Sequence, residues 1–484
     1  MSAVSSQVLD GLYIDGVWSI GTGAGTREIR SPYDDALLAV VPEATPDDVR
    51  LAVAAAERAF HADPLTPFQR YEILLATARL IAERADEFAR LIVAEAGKPI
   101  RDACAEVARA VQTITLCAEE AKRLGGEVIP FDATPGSEHR VGFTLSTPIG
   151  PVCAISPFNA PLNQMNHKVP TAIAAGCTVV LKPAEITPLS AIKLVQTIEE
   201  AGLPPGHLNL LLGAGETVGQ QLLEDERLRA YSFTGSVAVG KHIRRTVGLR
   251  KTLLELGNNS PNIVHADADL ELAAGAIARS AYAYAGQICI SAQRLLVHEA
   301  VIERFLELLV ARVSTLTIGD PSDPATDLGP MIDEAAAERA ERLIASTVEA
   351  GARLLVGGER HGKFLAPAVL TDVTPEMQIA CDEAFAPVVA VLPYSTLGEA
   401  VKLANATRYG LQAAVFTESI DVALHLSRRL EVGGVIINEG SNFRIDQMPF
   451  GGVKDSGVGR EGVKYAIAEF TEPRLVAITL KQPT

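Results

Sequence analysis

The 484-residue chain is long enough for two or three structural units and a large core, so neither disulfides nor metals are needed as staples. Hydrophobic residues make up 48% and charged residues 21%, ordinary globular usage that excludes wholesale disorder. The formal net charge is −16 and no Lys/Arg-rich block offsets it, which argues against nucleic acid or an anionic membrane surface as a partner.

In chain order, the start MSAVSSQVLDGLY lacks the basic and apolar regions of a signal peptide. Thr45-Pro46-Asp47-Asp48 then supplies an N-cap, a first-turn proline and acids where the helix dipole favours them. Apolar residues at helical spacing follow it. Two more amphipathic helices are predicted, about Gln69–Ala96 and Arg101–Leu124. The uncharged stretch Val141–Asn166 is broken by Pro148, Pro151, Pro157 and Pro161, so it is no bilayer span. From residue 148 short apolar runs (GPVCAIS, CTVVLKP, LNLLLG, AYSFTGS, TLLEL) alternate with helical segments, predicting a parallel sheet covered by helices. A second series (RLLVHE, PVVAVLPY, AVFT, GGVIIN) begins after about residue 257 and predicts a second α/β unit. Glu138–Thr147 and Arg474–Leu480 fit neither series. They read as extended segments with exposed edges, to be paired within the chain or with another copy.

Cys104, Cys117, Cys153, Cys177, Cys289 and Cys381 include no Cys-x-x-Cys pair, and the nine histidines form no ligand run. No metal site is expected, and free cysteines fit a reducing cytoplasm. Cys289 lies in AYAGQICISAQR, just before a predicted strand. Glu255 ends the predicted strand of LLELGNNSP, where a carboxylate points into the crevice used by α/β proteins. Together they suggest covalent catalysis followed by base-assisted hydrolysis, although a buried thiol and a capping acid are the bland alternatives. FTGSVAVG (Phe233–Gly240) places Gly235 and Ser236 at a helix start, where backbone N–H groups can meet a pyrophosphate. KPAE (Lys182–Glu185) ends another strand and could face a ribose. EAFAPV and MPFGGVKDSGVGRE are Gly/Pro-rich loops with aromatic and charged residues.

SPFNAP, KPAE, FTGS, LELGN, GQICIS, EAFAP and PFGGVKDSG, in this order over about 300 residues, resemble the aldehyde dehydrogenase superfamily along essentially the whole chain. The resemblance implies a Rossmann-like NAD-binding domain (1–125 and 148–256), a catalytic α/β domain (257–455), and a small β oligomerisation arm (126–147 and 470–484). It implies that Cys289 attacks the aldehyde to give a thiohemiacetal and then a thioester. Asn159 and the Cys289 N–H would stabilise the oxyanion, and Glu255 would activate water. Lys168 and Glu461 match positions proposed to relay protons. Ser156, Phe158, Lys182, Glu185, Gly215, Phe233, Gly235, Ser236, Glu255, Gly257, Glu383 and Phe385 match the cofactor-binding set. Glu185 can accept from a ribose 2′-hydroxyl but would repel a 2′-phosphate, so NAD is expected over NADP. Hydrolysis to a free acid is expected because coenzyme A-acylating members lack the Glu255 carboxylate. Such an enzyme, or a non-catalytic NAD-binding protein on the same scaffold, is the alternative. A homodimer or homotetramer in the cytoplasm follows by analogy.

Two positions depart from the pattern: Asn258 stands where a second glycine is usual, and Phe158 where tryptophan is common. Asn258 could alter the backbone near the base, being among the non-glycine residues that best tolerate positive φ. The substrate tunnel would be lined by Arg109, Gln164, His167, Arg444 and Phe450. Two guanidiniums favour a small polar or anionic aldehyde, unless they pair with internal acids or point into solvent. NFRIDQMPFGG is similar to the lactaldehyde and phosphonoacetaldehyde dehydrogenase branch, but Ile288 and Ala160 replace the cations that grip a phosphonate.

Overall fold

A computed structural model describes residues 8–23, 25–62 and 64–481. Most of the N-terminal segment just read for a signal peptide, and the last three residues of the expected arm, lie outside them.

Two large sheets organise the chain. The first runs in the order Val17–Ser19, Leu12–Ile14, Leu208–Leu210, Val179–Lys182, Val152–Ile155, Ala230–Thr234, Lys251–Glu255, Gly457–Val458. Its five central strands are parallel. From Val152–Ile155 the chain steps outward in one direction, then returns to place Ala230–Thr234 on the other side. The loops after Ile155 and Thr234 therefore diverge, and such a reversal opens a ligand crevice at the carboxyl ends of the strands. The SPFNAP and FTGS segments are those two loops. The second sheet has the order Arg353–Val356, Ala368–Thr371, Val388–Tyr394, Ala292–His298, Ser260–Val264, Gln412–Phe416, Gly434–Ile437, parallel except at Arg353–Val356. Only four residues join Glu255, at the carboxyl end of the first sheet, to Ser260, at the amino end of the second. The crevice of one sheet consequently opens onto the strand starts of the other.

Helices Pro67–Glu83, Ala85–Ala96, Ile100–Ala121 and Leu189–Glu200 contribute buried apolar residues to the core beside the first sheet. The single helix expected over Gln69–Ala96 is two, because Arg84 leaves helical geometry at ψ 23° and Ala85 restarts it. The first piece opens on a reciprocal capping box between Thr66 and Gln69. Short strands at Leu12–Ile14, Val17–Ser19, Thr26–Arg30 and Leu37–Pro42 were not expected in a helical N-terminal third. Each has six residues or fewer, and none belongs to the strand–helix alternation that marks the later strands. Strand Gly457–Val458 and helix Val463–Glu469 bring the chain back from the second sheet to the first.

The two unplaced segments pair with each other. Arg140–Pro148 and Thr471–Thr479 run antiparallel in full register, with Val128–Ile129 on the far side. The outer edge of Thr471–Thr479 carries no strand among the described residues, and Leu475, Ile478 and Leu480 are exposed there. No helix among the described residues is long and apolar enough to cross a membrane.

Candidate active site

After helix Leu270–Tyr282 the chain enters a left-handed turn, with φ of 48° at Tyr284, 52° at Ala285 and 70° at Gly286. The two non-glycine residues store strain, of the kind that persists only where the surroundings enforce it. Here they do. Tyr284 donates its hydroxyl to the Ala96 carbonyl (2.7 Å) and its N–H to Asp102 (3.2 Å). The buried Gln287 amide donates to the Tyr284 and Pro330 carbonyls and accepts from the Ile332 N–H. At Gly286 a Cβ would lie 2.1 Å from the Ala386 carbonyl oxygen, so only glycine fits. This turn delivers Cys289, partly exposed, against Ile290, Leu411 and Phe450.

Glu255 ends its strand 1% exposed, and neither carboxylate oxygen has a hydrogen-bond partner. Opposite it is Gly451, whose Cβ would stand 2.9 Å from Oε1. Burial, then the charge of Glu461, push the Glu255 carboxyl well above its usual range, while Arg444 and Lys168 act the other way. Burial, then the Glu255 charge, raise the Cys289 thiol to about 12. A buried carboxylate with free lone pairs beside a thiol is equipped to take a proton from water.

Asn159 lies in the first crevice loop. Its Nδ2 donates to the Gln287 carbonyl (2.8 Å), which fixes the amide beside the Cys289 loop and leaves the second N–H free. The next turn is held by Glu106, which accepts from the Leu162 and Asn163 N–H groups at 2.9 and 3.0 Å and pairs with buried Lys98. Lys168, fully buried, donates to Thr234 Oγ1 (2.7 Å), Ser232 Oγ (3.3 Å) and Glu461 (3.1 Å). Against the burial that would raise it, Lys168 and then Arg444 hold the Glu461 carboxyl down to about 2.

The crevice has the features a dinucleotide needs. Ser236 caps helix Val237–Val247 by accepting from the Val239 N–H (3.3 Å), and a Cβ at Gly235 would strike the Phe233 ring at 2.5 Å. A cavity of about 800 Å³ runs from Ser236 to Glu383 and is flanked by Lys241, Arg339, Arg342 and Arg408, cations suited to a diphosphate. Lys182 Nζ reaches only the Pro183 carbonyl (3.3 Å), and Glu185 Oε2 has no hydrogen-bond donor, though Arg27 lies 3.4 Å away. These open polar atoms match a ribose in need of partners. Glu383 accepts from the Asn258 N–H (2.9 Å), and burial raises its carboxyl to about 7. A Cβ at Gly257 would stand 2.5 Å from Glu383, so that glycine admits the acid. Phe158 and Phe385 meet edge to face at 6.0 Å, Phe385 with φ 48°. Ser156 is buried with its hydroxyl unpaired, and Gly215 opens the turn Gly215–Gly219 with nothing near its α-carbon. Asn258 does not use positive φ. Instead its buried amide donates to Ser260 Oγ (2.6 Å) and accepts from the Leu411 N–H (3.3 Å), tying the two strand starts together.

The expected tunnel residues form two ion-paired groups. Arg109 donates to Asp446 (2.8 Å), as does buried His167 through Nε2 (3.1 Å). Burial and the nearby Arg444 lower the His167 pKa, while its hydrogen bond to Asp446 acts the other way; against burial, that hydrogen bond and the His167 and Arg109 charges hold the Asp446 carboxyl well below its usual range. Arg444 donates to Glu461 (3.0 Å) and stacks 3.7 Å from the Phe450 ring centre. The guanidiniums do pair with internal acids. Even so, the Nε of both, Gln164 Oε1 and His167 Nδ1 lack partners among the described residues. No group of three or more metal-ligating side chains occurs among the described residues. Sequence reasoning missed Glu106, Asp102, Tyr284, Gln287 and Asp446. Tyr284 and Gln287 stand in AYAGQICISAQR and Asp446 in NFRIDQMPFGG, but nothing local marks them out there, and each acts by holding another group.

A sequence model of the aldehyde dehydrogenase family matches residues 18–476. The chain is 46% identical to a 3-sulfolactaldehyde dehydrogenase of Priestia megaterium over 97% of its length and 98% of that protein. Among solved structures it is similar to an NAD-dependent aldehyde dehydrogenase from Sinorhizobium meliloti (TM-score 0.95, 38% identity, 99% of this chain and 96% of that one). It is also similar to aldehyde dehydrogenase 21 from Physcomitrella patens, solved with its reaction product succinate (TM-score 0.94, 37% identity, 98% and 99%).

Proposed function

The chain belongs to the aldehyde dehydrogenase family, and from that membership we propose that it oxidises a small anionic aldehyde, with Cys289 as nucleophile and Glu255 as water-activating base. The observation that carries this reading is Glu255: buried, with neither oxygen hydrogen-bonded, and near enough for its charge to raise the Cys289 thiol. Cys289 Sγ adds to the aldehyde carbon, and its proton leaves toward the carboxylate of Glu255. The free N–H of Asn159 meets the oxyanion, together with the Cys289 N–H. A bound nicotinamide dinucleotide supplies the hydride acceptor. When the thiohemiacetal carbon has given up its hydride and become a thioester, Glu255 releases the thiol proton by way of Glu461 and Lys168. Water then attacks the thioester carbon as Glu255 takes its proton, the C–S bond breaks, and Glu255 returns that proton to the leaving thiolate. Lys168 and Glu461 hold and pass protons behind the acid.

NAD is the preferred cofactor, since a carboxylate at Glu185 faces the ribose position and would oppose a 2′-phosphate. The domain limits are 1–125 with 148–256, 257–455, and the arm 126–147 with 470–484. The open strand edge and its exposed apolar residues support pairing of that arm with a second copy. A cytoplasmic setting accords with the free cysteines.

For the substrate, Arg109 and Arg444 each spend one nitrogen on an internal acid and leave a buried Nε without an acceptor. Relatives named for sulfolactaldehyde and solved with succinate support an aldehyde bearing a sulfonate or carboxylate. The test is a panel of matched anionic and uncharged short aldehydes, followed by nicotinamide absorbance and acid analysis with and without coenzyme A. Higher kcat/KM for the anionic members, and free acid as product, are expected. Equal values, or an acyl-coenzyme A product, overturn it.

A further inference from the structure

Arg444 sits where three parts of the site meet. It donates to Glu461 and rests on Phe450, with its side chain 4% exposed. Phe450 packs with Ile290 and Leu411 against Cys289, and its neighbour Gly451 abuts the Glu255 carboxylate. The charged groups acting on Glu255 are Glu461, Arg444, Lys168 and Arg460, with the Cys289 thiol alongside. Lys168 is bound to Glu461 and two hydroxyls, and Arg460 donates to the Gly452 and Gly459 carbonyls. Arg444, by contrast, keeps its Nε donor without an acceptor.

We propose that Arg444 is a positioning residue for the hydrolytic half of the reaction, one cation shared between Glu461 and the Cys289–Glu255 pair. An anionic group on the substrate then competes for the charge that favours the carboxylate form of Glu255. The proposal rests on the hydrolytic reading above. An adjacent cation commonly moves a carboxyl by about one unit or more, and one unit is a tenfold change in the ionised fraction on the acid side. Substrate recognition and base strength are thus linked through a single guanidinium. An anionic acyl group makes Glu255 harder to ionise than an uncharged one of the same size.

The test follows acyl-Cys289 by rapid acid quench and intact mass between pH 5.5 and 9.5, using an uncharged aldehyde and its carboxylate-bearing analogue. In the wild type the acid limb of hydrolysis is expected at higher pH for the anionic acyl group. With the uncharged aldehyde, Arg444→Met is expected to move that limb up by about one pH unit, a roughly tenfold longer acyl-enzyme lifetime near pH 6. Arg444→Lys, which keeps the charge, is expected to return it toward wild type, with circular dichroism confirming that both variants fold. Coincident limbs for wild type and Arg444→Met overturn the proposal, as does a folded Arg444→Lys that behaves like Arg444→Met. Absence of any acyl-enzyme in the wild type instead removes the underlying reading, and the proposal with it.

Discussion

Replacing Gly286 by alanine tests whether the turn before Cys289 sets the geometry of attack. The residue has φ 70°, and a left-handed alanine costs about 1–2 kcal/mol. Its Cβ would also stand 2.1 Å from the Ala386 oxygen and 2.4 Å from its carbon, well over an ångström too close. Ala386 cannot swing aside freely, because its oxygen accepts from the Val388 N–H at 2.8 Å where the strand begins. Overpacking against fixed backbone adds about 1–3 kcal/mol, for a total near 2–5 kcal/mol. Whatever part of the clash the turn takes up moves Gln287 and Cys289. A displacement of about 1 Å at a reacting group costs on the order of 10²-fold. Denaturant unfolding and the first-turnover rate with a good aldehyde measure the two effects. A folded Gly286→Ala enzyme with wild-type stability and first-turnover rate would refute the reasoning.

Asn159→Ala removes one oxyanion donor and should lower kcat by about 10²–10³; it also strips the Gln287 carbonyl of its donor, so the melting temperature should fall. A turnover near wild type contradicts both. Glu185→Gln removes the charge opposing a 2′-phosphate and leaves Arg27 nearby, so the NADP/NAD ratio of kcat/KM should rise about tenfold, or about 1.4 kcal/mol. An unchanged ratio rejects that role. Glu95 is buried, accepts from the Leu189 and Ser190 N–H groups, and is raised by burial from 4.5 to about 7. Between those values the folded state holds a proton that the unfolded state has released. Stability should therefore drop as pH rises through this window and level off above it. Urea unfolding of Glu95→Gln should show a flatter profile, and an identical slope in both proteins counts against it.

The sequence displays reacting groups more readily than their supports. Cys289, Glu255, Asn159 and the crevice residues sit in ordered motifs, and the strand–helix alternation announces two parallel sheets. The order of strands, which opens the crevice beside Asn159 and Ser236, depends on long-range pairing that local patterns do not encode. Arg84 breaks a helix by its backbone alone, with neither glycine nor proline to mark it. Glu106 and Gln287 look like ordinary polar residues until distant backbone groups find them. Arg109 and Arg444 were legible as cations, but Asp446 and Glu461 decide how much of that charge remains for a ligand.

The central claim is that Cys289 carries the acyl group and Glu255 brings the water. Intact-mass measurement of Glu255→Gln, mixed with dinucleotide and aldehyde and quenched over time, tests it most directly. A mass gain equal to the acyl group, formed more slowly than in wild type because Glu255 also takes the thiol proton, absent when Cys289→Ala is added and persisting long after wild-type enzyme has cleared it, is the expected result. Clearance at the wild-type rate, or acylation that survives the loss of Cys289, would contradict the account.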